Sequence, residues 1–161
     1  MARRIRQTVT INATPRAVYE ALMDSRRHAK FTGGAARISR KVGGAFSVFD
    51  GYARGVNVAL ERNRRIVQTW RANDWPARHY SLVTFALTKA SKGTRLTFTQ
   101  TNIPADQVES VRQGWKEFYW TPLKAMLETP ARPKRARPSS RRPASVASAA
   151  RPRGTPGTAR R

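Results

Sequence analysis

Cysteine is absent from this 161-residue chain, which excludes disulfide scaffolds, cysteine nucleophiles and thiolate metal sites. Histidine occurs only at His28 and His79, and Asp and Glu together number nine. Acid–base chemistry therefore has few side chains to draw on. No apolar run approaches the roughly 18 residues that a membrane-spanning helix requires, so no membrane insertion is expected. The amino terminus, Met-Ala-Arg-Arg-Ile-Arg-Gln-Thr, carries charge but no apolar stretch of secretory length behind it. These absences leave a soluble, cytoplasmic protein as the expectation.

What the chain has in excess is positive charge, 32 Lys+Arg and a formal net charge of +23. It is unevenly placed. Residues 128–161 hold ten basic residues against Glu128, together with six of the ten prolines and no aromatic ring. Such a segment cannot bury enough apolar surface to offset the entropy of ordering it, so it reads as a disordered basic tail. Residues 1–127 keep all 14 aromatics and are long enough to bury about two-thirds of their unfolded surface in one core. The reading is thus one domain, 1–127, and a tail, 128–161.

Within the body, Ile5, Gln7, Val9 and Ile11 alternate with polar residues, the period of a strand. Thr14-Pro15 then supplies an N-cap and a first-turn proline for a helix running to about Met23, one or two short helices being expected after the first strand. Gly33-Gly34 and Gly43-Gly44 punctuate short strands near Ala36–Ser39 and Ala45–Phe49. Asp50-Gly51 signals a hairpin into Tyr52–Leu60, Ile66–Ala72 is a further strand, and Tyr80–Thr88 with Thr94–Gln100 is the clearest hairpin. The strongest helical period follows: Val108, Val111, Trp115, Phe118, Tyr119, Leu123 and Met126 share one face. Asp106 and Glu109 have capping-box spacing, and Pro122 should kink the helix. The expected architecture is α+β, a curved antiparallel sheet of six or seven strands laid around one long C-terminal helix.

This order, with these residues, resembles the helix-grip (START-like, SRPBCC) superfamily. From about Thr8 to Leu127 it is similar to the C-terminal domain of the activators of heat shock protein 90 ATPase. The phrases that carry the resemblance are Ala13-Thr14-Pro15-x-x-Val18-Tyr19-x-Ala21-Leu22, Phe31-Thr32-Gly33, Gly43-Gly44-Ala45-Phe46 with Asp50-Gly51, and Ile66-Val67-Gln68-x-Trp70-Arg71. Trp75-Pro76-x-x-His79-Tyr80-Ser81, Ile103-Pro104 and Gln113-Gly114-Trp115 with Tyr119 complete the set. The resemblance implies a seven-stranded sheet gripping the helix around a cavity or groove, and a heat shock protein 90-type chaperone as partner. The eukaryotic activators also carry an N-terminal domain with an Asn-rich, Trp-containing motif. No segment here matches it, so the resemblance implies contact with the chaperone more than strong stimulation of its ATPase.

Three functional readings stay open. In the first, a hydrophobic small molecule or a protein partner occupies an apolar cavity. Its walls would be Trp70, Trp75, Phe98, Trp115 and Phe118, with Asn57, His79, Tyr80, Gln100 and Tyr119 as polar accents. The plainer alternative is that these rings simply fill the core, and a one-residue register slip would turn the strand residues outward. In the second, the clustered Arg132, Lys134, Arg135, Arg137, Arg141 and Arg142 bind nucleic acid through its phosphates, without sequence preference. In the third, Asp74 and His79 flank Trp75-Pro76 and perform acid–base work, as in polyketide-cyclase relatives of the superfamily. No metal spacing, phosphate-binding glycine loop or nucleophile elbow occurs, no cofactor is implied, and a non-catalytic binding domain is the main reading.

Overall fold

A computed structural model describes residues 3–128. Of the expected basic tail, 128–161, only Glu128 is described; residues 129–161, with Arg132, Lys134, Arg135, Arg137, Arg141 and Arg142, lie outside the described residues.

Strand β1 (Arg3–Ile11) puts Ile5 and Ile11 in the core and its arginines and threonines outside. Thr14 then starts α1 (Pro15–Met23), its hydroxyl accepting the Ala17 N–H at 3.1 Å. Asp24 serves two helices. Its backbone N–H closes α1 on Glu20, and its carboxylate accepts the Arg27 N–H at 2.9 Å to open α2 (Ser25–Thr32). Gly33, at φ 83°, ends α2 in the left-handed conformation that glycine adopts without a Cβ penalty.

Six further strands follow: β2 (Arg37–Ile38), β3 (Ala45–Val48), β4 (Ala53–Glu61), β5 (Arg65–Ala72), β6 (Ser81–Ala90) and β7 (Gly93–Ile103). They join β1 in one seven-stranded sheet of order β1-β7-β6-β5-β4-β3-β2. Every neighbouring pair is antiparallel. The chain meanders from β2 to β7, and β1 is added outside β7. The tightest turn is the β6–β7 connection, where Ala90 pairs with Gly93 across Ser91-Lys92. The Asp50-Gly51 signal does mark the β3–β4 turn, but as a four-residue loop, since Val48 pairs with Ala53.

The C-terminal helix differs from its expected form at two points. Asp106 and Glu109 do not form a capping box: a 3₁₀ turn (Ala105–Gln107) precedes α3 (Val108–Trp115), no side chain caps it, and Glu109 pairs instead with Arg112 at 2.8 Å. The kink expected from Pro122 takes the form of a π-helical segment, Lys116–Trp120, ahead of α4 (Thr121–Glu128). Pro122 has no N–H to offer and its ring would press on the carbonyl four residues back. The wider turn, with the Thr121 N–H reaching Lys116 five residues back, accommodates both. At the far end Glu128 accepts the Asn12 N–H (2.8 Å) and the Lys124 ammonium (2.9 Å), fastening α4 to the loop after β1.

Candidate functional site

One face of the sheet and the helix meet through aromatic rings, and the indole nitrogens of Trp115 and Trp120 are tied to glutamines on β7 and on the neighbouring edge strand β1. Gln100 on β7 accepts the Trp115 indole N–H at 2.8 Å and donates to the Ser81 hydroxyl at 2.8 Å, which donates in turn to the Trp70 carbonyl at 2.7 Å. Gln7 on β1 accepts the Trp120 indole N–H at 2.6 Å and donates to the Arg112 carbonyl at 3.0 Å. Phe98 is wholly buried beneath Trp115, their ring centres 4.3 Å apart. Gln100 and Phe98 thus position the helix and do not face open space.

Beneath Trp115 the interior is closed. The void bordered there by His28, Ile66, Phe85 and Tyr119 holds about 10 Å³, at most one water. His28, contributed by α2, shares a 3.1 Å hydrogen bond between its Nε2 and the Tyr119 hydroxyl, and it packs against Phe31 and Tyr119. Burial drives its pKa from 6.5 down to about 3, because the cation would have no water around it, and burial raises that of Tyr119. Both are neutral.

On the other side of the same rings lies an open groove of about 280 Å³. Trp70 of β5 and Trp115, Phe118 and Tyr119 of the helix form its walls. Phe49, Tyr52 and Asp74 close the opposite rim, and Ser110, Val111 and Gly114 form the helix side. Two backbone features shape it. Phe49 stands at φ 52°, an uncommon conformation for a bulky residue, and this turns its ring onto Phe118 and Tyr119 at 6.0 and 5.7 Å. Gly114 lies within α3, where glycine costs about 1 kcal/mol relative to alanine. A Cβ there would meet nothing closer than the Phe118 ring at 4.0 Å. Packing does not require that glycine; the groove is deeper for it.

The remaining sequence candidates lie elsewhere. Asn57 sits at a register shift of β4, donates to the Ser39 and Lys41 carbonyls at 2.7 and 2.9 Å and accepts from Gln68 at 2.9 Å, pinning the β2–β3 loop. Trp75 is buried edge-on against Trp70 at 5.4 Å, with an indole N–H that has no partner among the described residues. His79 donates its Nε2–H to the Asn102 carbonyl at 2.9 Å and packs against Trp75. Tyr80 is exposed just before β6. No hydrogen bond joins Asp74 to His79 among the described residues. Asp74 lies on the groove rim and raises the Tyr52 phenol, which burial, the larger cause, and this neighbouring charge together push up to about 12. No group of three or more metal-ligating side chains occurs among the described residues, and no helix there is long and apolar enough to cross a membrane.

Sequence reasoning missed Trp120, His28, Phe49 and Tyr52. Trp120 falls off the ideal helical stripe and is brought inward, to 4% exposure, only by the π turn. His28 carried no signal beyond its rarity. Phe49 and Tyr52 flank a turn motif, and turn motifs say nothing about where neighbouring rings point.

Comparison with known proteins places this geometry. A family model described as "Activator of Hsp90 ATPase homolog 1-like protein" matches residues 12–128. The activator of 90 kDa heat shock protein ATPase homolog of Dictyostelium discoideum is 33% identical over 64% of this chain and 27% of its own length. Homolog 2 of Mus musculus is 31% identical over 63% of this chain and 31% of its own length. The chain therefore spans about a third of these curated relatives. The crystal structure of an HSP90 activator from Plasmodium falciparum superposes with a TM-score of 0.71 at 27% identity, covering 81% of this chain and 98% of that one. With the seven-stranded sheet, the gripped C-terminal helix and a family match over most of its length, this chain belongs to the family of proteins like activator of Hsp90 ATPase homolog 1.

Proposed function

We propose that this protein is a non-catalytic, cytoplasmic, co-chaperone-like binding domain whose working surface is the groove between the C-terminal helix and the sheet. The groove takes an apolar guest, a hydrophobic small molecule or the apolar side chains of a partner, and the partner class is a chaperone of the 90 kDa heat shock type. The observation that carries the groove reading is Gly114, a helix-interior glycine whose missing side chain keeps open a depression walled by Trp70, Trp115 and Phe118. The relatives' names support the chaperone, and the Plasmodium protein, nearly all of whose crystallised chain this one covers, is itself described as an HSP90 activator.

Gly114→Leu tests the reading. Leucine favours helix more than glycine by up to about 1 kcal/mol, so the melting temperature should hold or rise while the groove fills. Native mass spectrometry of the wild-type protein should show an apolar adduct that the variant lacks. In a chaperone ATPase assay the wild type should change the rate and the variant should not. A variant that behaves as the wild type in both assays removes the groove from the function, and a wild type that neither binds the chaperone nor changes its ATPase rate removes that partner.

A second reading, polyanion binding, is supported by the outer sheet face. Arg37, Ser47, Arg54 and Arg71 follow one another across β2 to β5, with Arg54 directly opposite Arg71. Directly opposed like charges destabilise a sheet; the Arg71 guanidinium is held by the Trp75 and Pro76 carbonyls at 2.6 and 2.9 Å, which leaves Arg54 and Arg37 as the exposed cations an anion would meet. Together with Arg132, Lys134, Arg135, Arg137, Arg141 and Arg142, they would give salt-sensitive retention of nucleic acid. If truncation after Glu128 and Arg54→Gln leave that retention and its salt slope unchanged, this reading fails.

A further inference from the structure

Resting on the groove reading above, we infer that the groove selects an organic cation, an amine or quaternary ammonium group carried on a small apolar body. The groove's charge runs opposite to that of the protein. The chain as a whole carries +23, yet no lysine or arginine lines the groove, and its one charged lining residue is Asp74. Of the eight other acids among the described residues six are occupied, and the remaining two, Asp106 and Glu117, do not line the groove. Glu20, Glu61, Glu109 and Glu128 hold ion pairs, and the Asp24 and Asp50 carboxylates hold the N–H groups of Arg27 and Ala35. The Asp74 carboxylate has neither a hydrogen bond nor an ion pair to a described residue. The groove it borders is also lined by Phe49, Tyr52, Trp70, Trp115, Phe118 and Tyr119, and aromatic faces attract a cation through their quadrupoles, indole most strongly.

A carboxylate guest would meet Asp74 with no cation to offset the repulsion. A neutral guest would gain the apolar walls and nothing from the acid. An ammonium seated against Asp74 uses both the charge and the rings, while its carbon skeleton lies along Trp115 and Phe118.

The test is a matched series, octyltrimethylammonium, octanol and octanoate, added below their micellar concentrations to the full chain at fixed 150 mM salt. Binding is followed by the indole N–H resonances of Trp70 and Trp115. The expected order is cation, alcohol, carboxylate, with the cation about tenfold tighter than the alcohol. Asp74→Asn should narrow that ratio to about twofold. If octanol or octanoate binds as tightly as the cation, or if the ratio survives Asp74→Asn, the cation assignment is overturned while the groove stands. If none of the three moves those resonances, or if Gly114→Leu binds them as well as the wild type, the groove reading falls and this inference with it.

Discussion

The two sides of the Trp115–Tyr119 layer make the most instructive contrast in the molecule. Trp70, Trp115 and Tyr119 border both the closed interior void and the open groove. Inward, they are met by Leu22, His28, Ile66 and Phe85 and leave about 10 Å³. Outward, they leave about 280 Å³. The rings are the same and the packing partners differ. Inside, α1 and α2 press apolar side chains into every gap, because unfilled interior volume forfeits dispersion contacts. Outside, Gly114 offers no side chain and the β3–β4 loop holds Phe49 and Tyr52 at the rim. Core filling and groove lining, alternatives at the level of composition, are both done by the same residues.

The contrast can be broken most completely at Trp115, the residue common to both sides. Trp115→Ala should destabilise the fold by about 3–5 kcal/mol, as removal of a large buried aromatic does, and should abolish groove binding; chemical denaturation and the octyl series measure the two losses. Acid attacks the inner side through His28. His28 in the unfolded chain takes a proton below about pH 6.5, whereas in the fold its pKa is about 3. The unfolded state therefore binds more protons between those values, and this contribution to stability falls as pH drops, by about 1.4 kcal/mol per pH unit. Comparing wild type with His28→Gln from pH 7 to pH 4 should reveal that slope in the wild type and its loss in the variant. If both lose stability in parallel, His28 does not carry it.

A smaller effect is expected at the tether between the two sides. Gln100→Ala leaves the Trp115 indole N–H buried without its acceptor, a loss of about 1–3 kcal/mol, and should loosen Trp115 toward the groove. Its signature would be faster hydrogen exchange at that indole than in the wild type. Least costly to the fold is Gly114→Leu, which should leave the inner side intact and close the outer one. A melting temperature several degrees below wild type would show that Gly114 is required by packing after all.

Much of the scaffold could be read from local chemistry. The alternation in β1, the Thr14-Pro15 start of α1 and the β6–β7 hairpin are properties of neighbouring residues, and all appear as expected. The capping box did not form, although Asp106 and Glu109 have its spacing. Pro104 and the 3₁₀ turn lead the chain into α3, and Glu109 turns to Arg112. The site was less legible. Trp70, Trp115, Phe118 and Tyr119 border the groove, while Phe98, Gln100, Asn57 and His79 are engaged in the frame that holds it. A strand period tells which face a residue occupies; it does not distinguish a buried polar group with partners from one facing a cleft.

The amino-acid order by itself determined the alternation of elements, the apolar stripe of the last helix and the basic surplus, because each follows from the spacing of side chains along the chain. Only the tertiary structure decided that Trp120 turns inward, that His28 meets Tyr119 across 91 residues, and that a lone carboxylate stands at the mouth of an aromatic groove. These depend on how far the π turn rotates the helix and on how closely separate segments approach, and non-local packing sets both.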